Sequence, residues 1–277
     1  MIIFSRSDKA SLNDTATFKT HLNYVKCIAN HANSLNISIN PRINSPLDGQ
    51  KTAKFERLAK ITKTSIAGEK TACDNEHAYA QVAAPWIPVK CYYRLYYLEA
   101  VFLYVLSGDE SGFGNGGHKA VRKNLMLAVE SGSISFSSAE LATITTWQAA
   151  NAFTTVSGAT VRTNYFSDAN CPNSLRKKLA EYIEHDWKQI KKIKDYRSRT
   201  SRNAKNRELL PKKFILADFF YWMRIKANYR DVDFLDFDNI SEDDAYEYLT
   251  KFIEATESYG AALENAIVQL KTMRGIK

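Results

Sequence analysis

At 277 residues, with 45% hydrophobic and 25% charged residues, the chain is composed like a globular protein, which excludes a disordered tail, a collagen-like repeat and a membrane bundle. Its 38 Lys and Arg against 30 Asp and Glu leave a net charge of +8, and that charge is segregated. Residues 188–213 hold eleven bases and two acids, a net of +9, whereas 231–257 hold ten acids and one base, a net of −9. Such a field attracts a polyanion at one end and repels it at the other. Four widely spaced cysteines (Cys27, Cys73, Cys91, Cys171) and an N-terminal apolar run too short for a signal peptide lead to the expectation of a reduced, cytoplasmic protein.

Phe18, Leu22, Val25 and Ala29 recur at helical spacing and predict a first helix, followed by a loop from Ser34 to Gly49. A weak alternation over Asn36 to Asn40 is the one hint of a strand. Phe55, Leu58 and Ile61 resume the helical period from Lys51, and Pro85 and Pro88 break it. Lys90 to Leu106 is apolar or aromatic almost all round, which predicts a helix buried on several sides with Tyr93, Tyr97, Phe102 and Leu103 in the core. Lys90, Arg94 and Glu99 interrupt the Val89 to Leu106 run and argue against a membrane span. His118 opens a short helix through Val129, and Ser137 with Glu140 fits a capping box for a helix around Leu141, Ile144 and Trp147. Pro172 begins a helix with Leu175, Leu179, Ile183 and Ile190 on its apolar side. Tyr196 to Asn206 reads as a loop, Pro211 as the first turn of a helix reaching Tyr229, and Ser241 with Asp244 as the start of a long last helix. The expected fold class is all-α, divided into an N-terminal helical region (1–84) and a bundle (85–277) carrying a basic insertion at 188–213, with one continuous domain as the alternative.

Several patterns bear on chemistry. The glycines between Gly112 and Gly117 suggest a phosphate cradle, but the loop follows a helix and ends Gly117-His118-Lys119, so a helix-to-helix connection is the expectation. Cys27 with His31 and Cys73 with His77 each place two metal-binding side chains at i and i+4, a composite zinc set that lacks the compact Cys-x2-Cys knuckle. Ordinary half-buried side chains are the expectation there, with no metal and no cofactor. Asp231, Asp233, Asp236 and Asp238 read as charge complementing the dipole of the last helix rather than as a Mg²⁺ site. The basic segment is the most informative feature. Lys191, Lys192, Lys194, Arg197, Arg199, Arg202, Lys205 and Arg207 neutralise phosphates, and Trp187 and Tyr196 offer aromatic faces for bases.

Tyr92-Tyr93-Arg94-Leu95-Tyr96-Tyr97, the glycine loop and His118-Lys119-Ala120-Val121 follow one another in an order that resembles the HEPN superfamily (higher eukaryotes and prokaryotes nucleotide-binding domain). Arg224-Ile225-Lys226-Ala227-Asn228-Tyr229 and the helix from Ala245 to Leu270 are similar to a second element of that family, with Asn228 where the family has Asp. The resemblance implies a divergent four- or five-helix antiparallel bundle that dimerises and associates with RNA, and a place in bacterial toxin or phage-defence systems. The family's ribonucleases carry Arg followed four to six residues later by His on one helix, and no histidine here stands in that relation.

The sequence therefore leads to a helical protein that binds nucleic acid, RNA rather than DNA, through 188–213, with no cleavage of bulk RNA expected. Two alternatives stand beside it. One is a metal-independent ribonuclease using His118, His185 and Arg224; the other is an interaction module in which the basic loop of one subunit or partner meets the acidic run of another.

Overall fold

The computed structural model describes residues 15–41, 47–114, 116–153, 170–193, 198–229 and 240–276. Its organising element is α4 (Ile87–Ser107), whose apolar circumference is covered by α2 (Gln50–Asn75), α5 (Gly117–Glu130), α10 (Phe219–Tyr229) and α11 (Glu242–Arg274). Pro88 sits in the first turn of α4, where no amide is required, and Gly108 closes the helix in the left-handed region at φ 79°. Phe102 and Leu103 are buried as expected, but Tyr93 and Tyr97 are only half-buried. They form an edge of the core.

α1 (Thr15–Ala32) lies along α11, and α3 (Tyr79–Ala83) joins α2 to α4. These N-terminal helices share one apolar core with the rest of the chain. Ser241 caps α11, its Oγ accepting from the Asp244 amide at 3.1 Å, as the sequence spacing predicts.

Two short ribbons supplement the helices. β1 (Ile37–Ile39) pairs antiparallel with β2 (Ile134–Phe136) in the register Ile37 to Phe136 and Ile39 to Ile134, so the weak alternation over 36–40 is a real strand. Ser137 does not form a capping box: its Oγ accepts from the Asn36 amide at 2.9 Å and ties the ribbon's end, while Glu140 pairs with Arg176. The helix expected through Leu141, Ile144 and Trp147 is instead split into α6 (Ala139–Ala142), β3 (Thr145–Thr146) and α7 (Trp147–Ala150). β3 pairs with β4 (Lys213–Phe214), and the Trp147 amide donates to the Lys212 carbonyl at 2.8 Å. That pairing also explains why Pro211 starts no helix. The chain must stay extended there, and α10 begins only at Phe219.

Two charged residues of α4 are buried with dedicated partners, as burial of a charge requires. Arg94 lies across Gly260 of α11, where a Cβ would come within 2.9 Å of its Nη2, and pairs with Glu257 and Glu264. Glu99 accepts from Arg122 Nη1 at 2.8 and 3.1 Å and from the Tyr259 hydroxyl at 3.0 Å. Arg122 also pairs with Asp218, whose other oxygen accepts from the Ile215 amide at 2.9 Å. Burial raises the Glu99 pKa, and Arg122 opposes that shift. This network pins α4, α5, α11 and the turn before α10 to one another.

Candidate nucleic-acid interface

The basic segment contains a helix where the sequence suggested a loop. α8 (Cys171–Ile190) runs to a short turn, and after residues 194–197, which lie outside the described set, Ser198 caps α9 (Arg199–Leu209) by accepting from the Ser201 amide at 3.1 Å. Lys194, Tyr196 and Arg197 of the predicted interface thus lie outside the described residues. The loop reading failed because Ser, Arg and Asn dominate the run, while the apolar contacts that stabilise it come from only Ala204 and Leu209.

α9 is two-faced. On its inner side Leu209 is buried, Lys205 pairs with Glu184 of α8 at 3.4 Å and sits 5.0 Å over the Trp147 ring, and Glu208 pairs with Lys191 at 3.2 Å. Glu208 also accepts from the Trp187 indole at 2.8 Å, which pulls its own pKa down. Trp187 is 4% exposed, so it offers no face to a base, contrary to the expectation from sequence. On the outer side Arg199, Arg202, Asn203, Asn206 and Arg207 are all exposed. At 100° per residue they span about 140° of the helix, a single stripe. Arg199, Arg202 and Arg207 make no ion pair among the described residues. Lys192 is likewise exposed.

The acidic counterpart is engaged elsewhere. Of the run's described members, Glu247 pairs with Lys26 at 2.7 Å, Asp244 lies 4.0 Å from Lys19, and Glu257 pairs with Arg94, so α11 spends these carboxylates on α1 and α4. Asp231, Asp233, Asp236 and Asp238 lie outside the described residues.

A second cluster assembles residues that no sequence pattern connects. His118, at the start of α5, sets its Nδ1 2.9 Å from the Tyr92 hydroxyl, with its ring 4.1 Å from that of Tyr96 and 5.7 Å from that of Tyr93. Arg224, from α10, lies 5.4 Å over the Tyr92 ring and 5.3 Å over Tyr93, and donates to the Tyr93 hydroxyl at 3.2 Å. Desolvation, with a smaller contribution from the Arg224 charge, lowers the His118 pKa to about 4, so the imidazole is neutral at neutral pH. His185 is not part of this cluster. It lies on α8, exposed, with Nε2 3.4 Å from Gln189.

The glycine loop serves packing. The Tyr96 hydroxyl donates to the Gly112 carbonyl at 2.6 Å, and a Cβ on Gly117 would come within 2.5 Å of that hydroxyl. A Cβ on Gly112 would meet Ala100 and Val121 at 2.9 Å. The Gly117 and Lys119 amides are taken by the Gly114 and Gly116 carbonyls, so the start of α5 does not present the open row of donors that a phosphate cradle needs.

No three His, Cys, Asp or Glu side chains come together as a metal-holding group among the described residues. Cys27 and Cys73 are buried thiols, and burial raises the Cys73 pKa to about 11; His77 stacks on Tyr246 at 4.1 Å and faces Asp243 at 3.6 Å, while His31 is half-buried on α1. The composite zinc set is not formed. Among the described residues no helix is long and apolar enough to cross a membrane. Comparison with family models, curated proteins and solved structures finds no significant match to this chain.

Proposed function

We propose that the protein binds nucleic acid, RNA in preference to DNA, through the outer face of α9. The observation that carries this reading is the stripe of Arg199, Arg202 and Arg207 with Asn203 and Asn206 between them, exposed and without carboxylate partners among the described residues. Guanidinium groups clamp phosphate oxygens in two-point contacts, and side-chain amides hydrogen-bond base edges or sugars. The described bases of the segment that have carboxylate partners are Lys188, Lys191, Lys205 and Lys213, and of these Lys191 and Lys205 hold α9 on α8. The resemblance to the HEPN superfamily supports the preference for RNA, a homodimeric bundle and a role in a toxin or phage-defence system. The test is fluorescence anisotropy with labelled RNA, single-stranded DNA and duplex DNA across salt. Arg199, Arg202 and Arg207 replaced together by Glu weaken binding and flatten the salt dependence; unchanged affinity rejects α9 as the site.

A second reading, metal-independent ribonuclease chemistry, rests on the meeting of His118 and Arg224 over the same two tyrosine rings of one chain. In the tautomer that carries its proton on Nδ1, the neutral imidazole has a lone pair on Nε2 to accept a proton from a ribose hydroxyl, and Arg224 supplies positive charge beside it to stabilise a phosphate. Removing a general base costs about 10²–10⁴ in rate. RNA cleavage that His118→Ala leaves undiminished excludes this site.

A further inference from the structure

The outer edge of α4 and the neighbouring face of α10 carry rings that the core does not fully cover. Tyr93 and Tyr97 of α4 and Tyr221 and Trp222 of α10 are all half-buried, whereas Tyr92 beneath them is 1% exposed. Ring contacts run through the set: Trp222 to Tyr221 at 5.3 Å, Tyr221 to Tyr92 at 5.8 Å, Tyr92 to Tyr93 at 5.9 Å and Tyr93 to Tyr97 at 6.0 Å. Cations accompany the rings. Arg224 lies over Tyr92 and Tyr93, and Lys226 and Lys178 lie 6.0 and 5.5 Å over Tyr182, which itself packs against Trp222 at 6.3 Å. Lys178 is shared with Glu181, at 2.9 Å.

We propose that Tyr93, Tyr97, Tyr221 and Trp222 form a stacking surface for the unpaired bases of a single-stranded nucleic acid. Every base has a π-face, so rings with interspersed cations accept bases with little regard to sequence, while a backbone passing over the surface meets Lys226 and Lys178, and buried Arg224 adds positive charge beneath the rings. A duplex hides its base faces and gains nothing from the rings. The surface is joined to α9 through one helix, since α8 meets α10 through Tyr182 and α9 through Glu184 and Trp187. The inference rests on the nucleic-acid reading for its partner class but not for its residues.

The test uses the full chain, a fluorescein-labelled 12-nucleotide oligouridylate and a 12-base-pair duplex. Each stacked base is worth about 1–3 kcal/mol, so Tyr93→Leu with Trp222→Leu lowers oligouridylate affinity about tenfold or more, with duplex affinity and the salt slope unchanged. The triple α9 charge reversal weakens both probes and flattens both slopes, which separates the two sites. Oligouridylate affinity that survives the double replacement overturns the stacking surface while leaving α9 intact. Failure of every probe to bind the unsubstituted chain overturns both. If the double variant does not fold, photo-crosslinking of a 4-thiouridine oligomer to the unsubstituted chain decides: adducts on α4 and α10 peptides support the surface, and adducts confined to α9 exclude it. A dimer that dissociates on replacing Tyr93 and Trp222, in a chain that does not bind oligouridylate, assigns the rings to a subunit contact instead.

Discussion

His118 differs from an ordinary histidine because its ring is packed among tyrosines beside a guanidinium. Its imidazole resonances therefore titrate near pH 4 in an NMR titration, against about 6.5 for a solvated histidine. A midpoint near 6.5 would mean that the ring is not held in this cluster. The sign for stability follows from the depressed value. The unfolded chain takes up the proton first, so the contribution of His118 is present above pH 6.5 and is lost as pH falls towards 4. Buried His21, also held well below 6.5 by desolvation and by Lys226, acts in the same direction. A thermal midpoint that rises over that acid window would contradict both. Arg122→Met leaves Glu99 and Asp218 buried without their cation, a loss of about 3–5 kcal/mol in denaturant unfolding. Gly260→Ala drives a methyl onto the Arg94 guanidinium and costs about 1–3 kcal/mol by the same measurement. His118 and Arg224 were visible in the sequence as separate polar residues. The sequence grouped them with His185 as one candidate set, but the tyrosine rings that bring these two together, and the exclusion of His185, were not legible, because no periodicity links the start of α5 to the middle of α10.

At the scale of the element, the sequence was most legible where one stripe decided the outcome. The apolar positions of α1 and α11 and the Ser241 cap read directly as helices. α4 also read as a helix, but its uniform hydrophobicity concealed which rings lie at the edge of the core; Tyr93 and Tyr97 are only half-buried beside His118, Arg224 and Phe55, residues distant in sequence. α6, α7 and the segment after Pro211 misled because strand pairing between Thr145–Thr146 and Lys213–Phe214, distant in sequence, overrides a local helical spacing. α9 misled in the opposite direction, since a polar helix docked by Lys205, Glu208 and Leu209 looks like a loop when its partners on α8 and α7 are not in view. If that docking holds α9 helical, Glu208→Ala frees Lys191 and the Trp187 indole together and lowers protection of the α9 amides from hydrogen exchange, with α11 unaffected. Equal protection in the variant would show that α9 does not depend on this contact.

For the whole molecule, the polarity of charge survives folding in altered form. Among the described residues, Asp244, Glu247 and Glu257 of α11 face bases of α1 and α4, whereas Arg199, Arg202 and Arg207 of α9 are exposed without an ion pair, and the proposed function rests on that face. Phe102, at 0% exposure in the middle of α4, is the natural probe of the shared core. Its truncation to Ala costs about 3–5 kcal/mol in a single cooperative unfolding transition, and a neutral result would remove α4 from the centre of the fold. The most direct test of the account is the salt dependence of RNA binding, measured by anisotropy between 50 and 200 mM salt for the unsubstituted chain and for Arg199, Arg202 and Arg207 replaced together by Glu. Each phosphate contact to a single strand contributes about 0.7 to the log–log slope, so losing three flattens it by about 2 and weakens binding throughout the range. Equal slopes and equal affinities for the two chains would contradict the account.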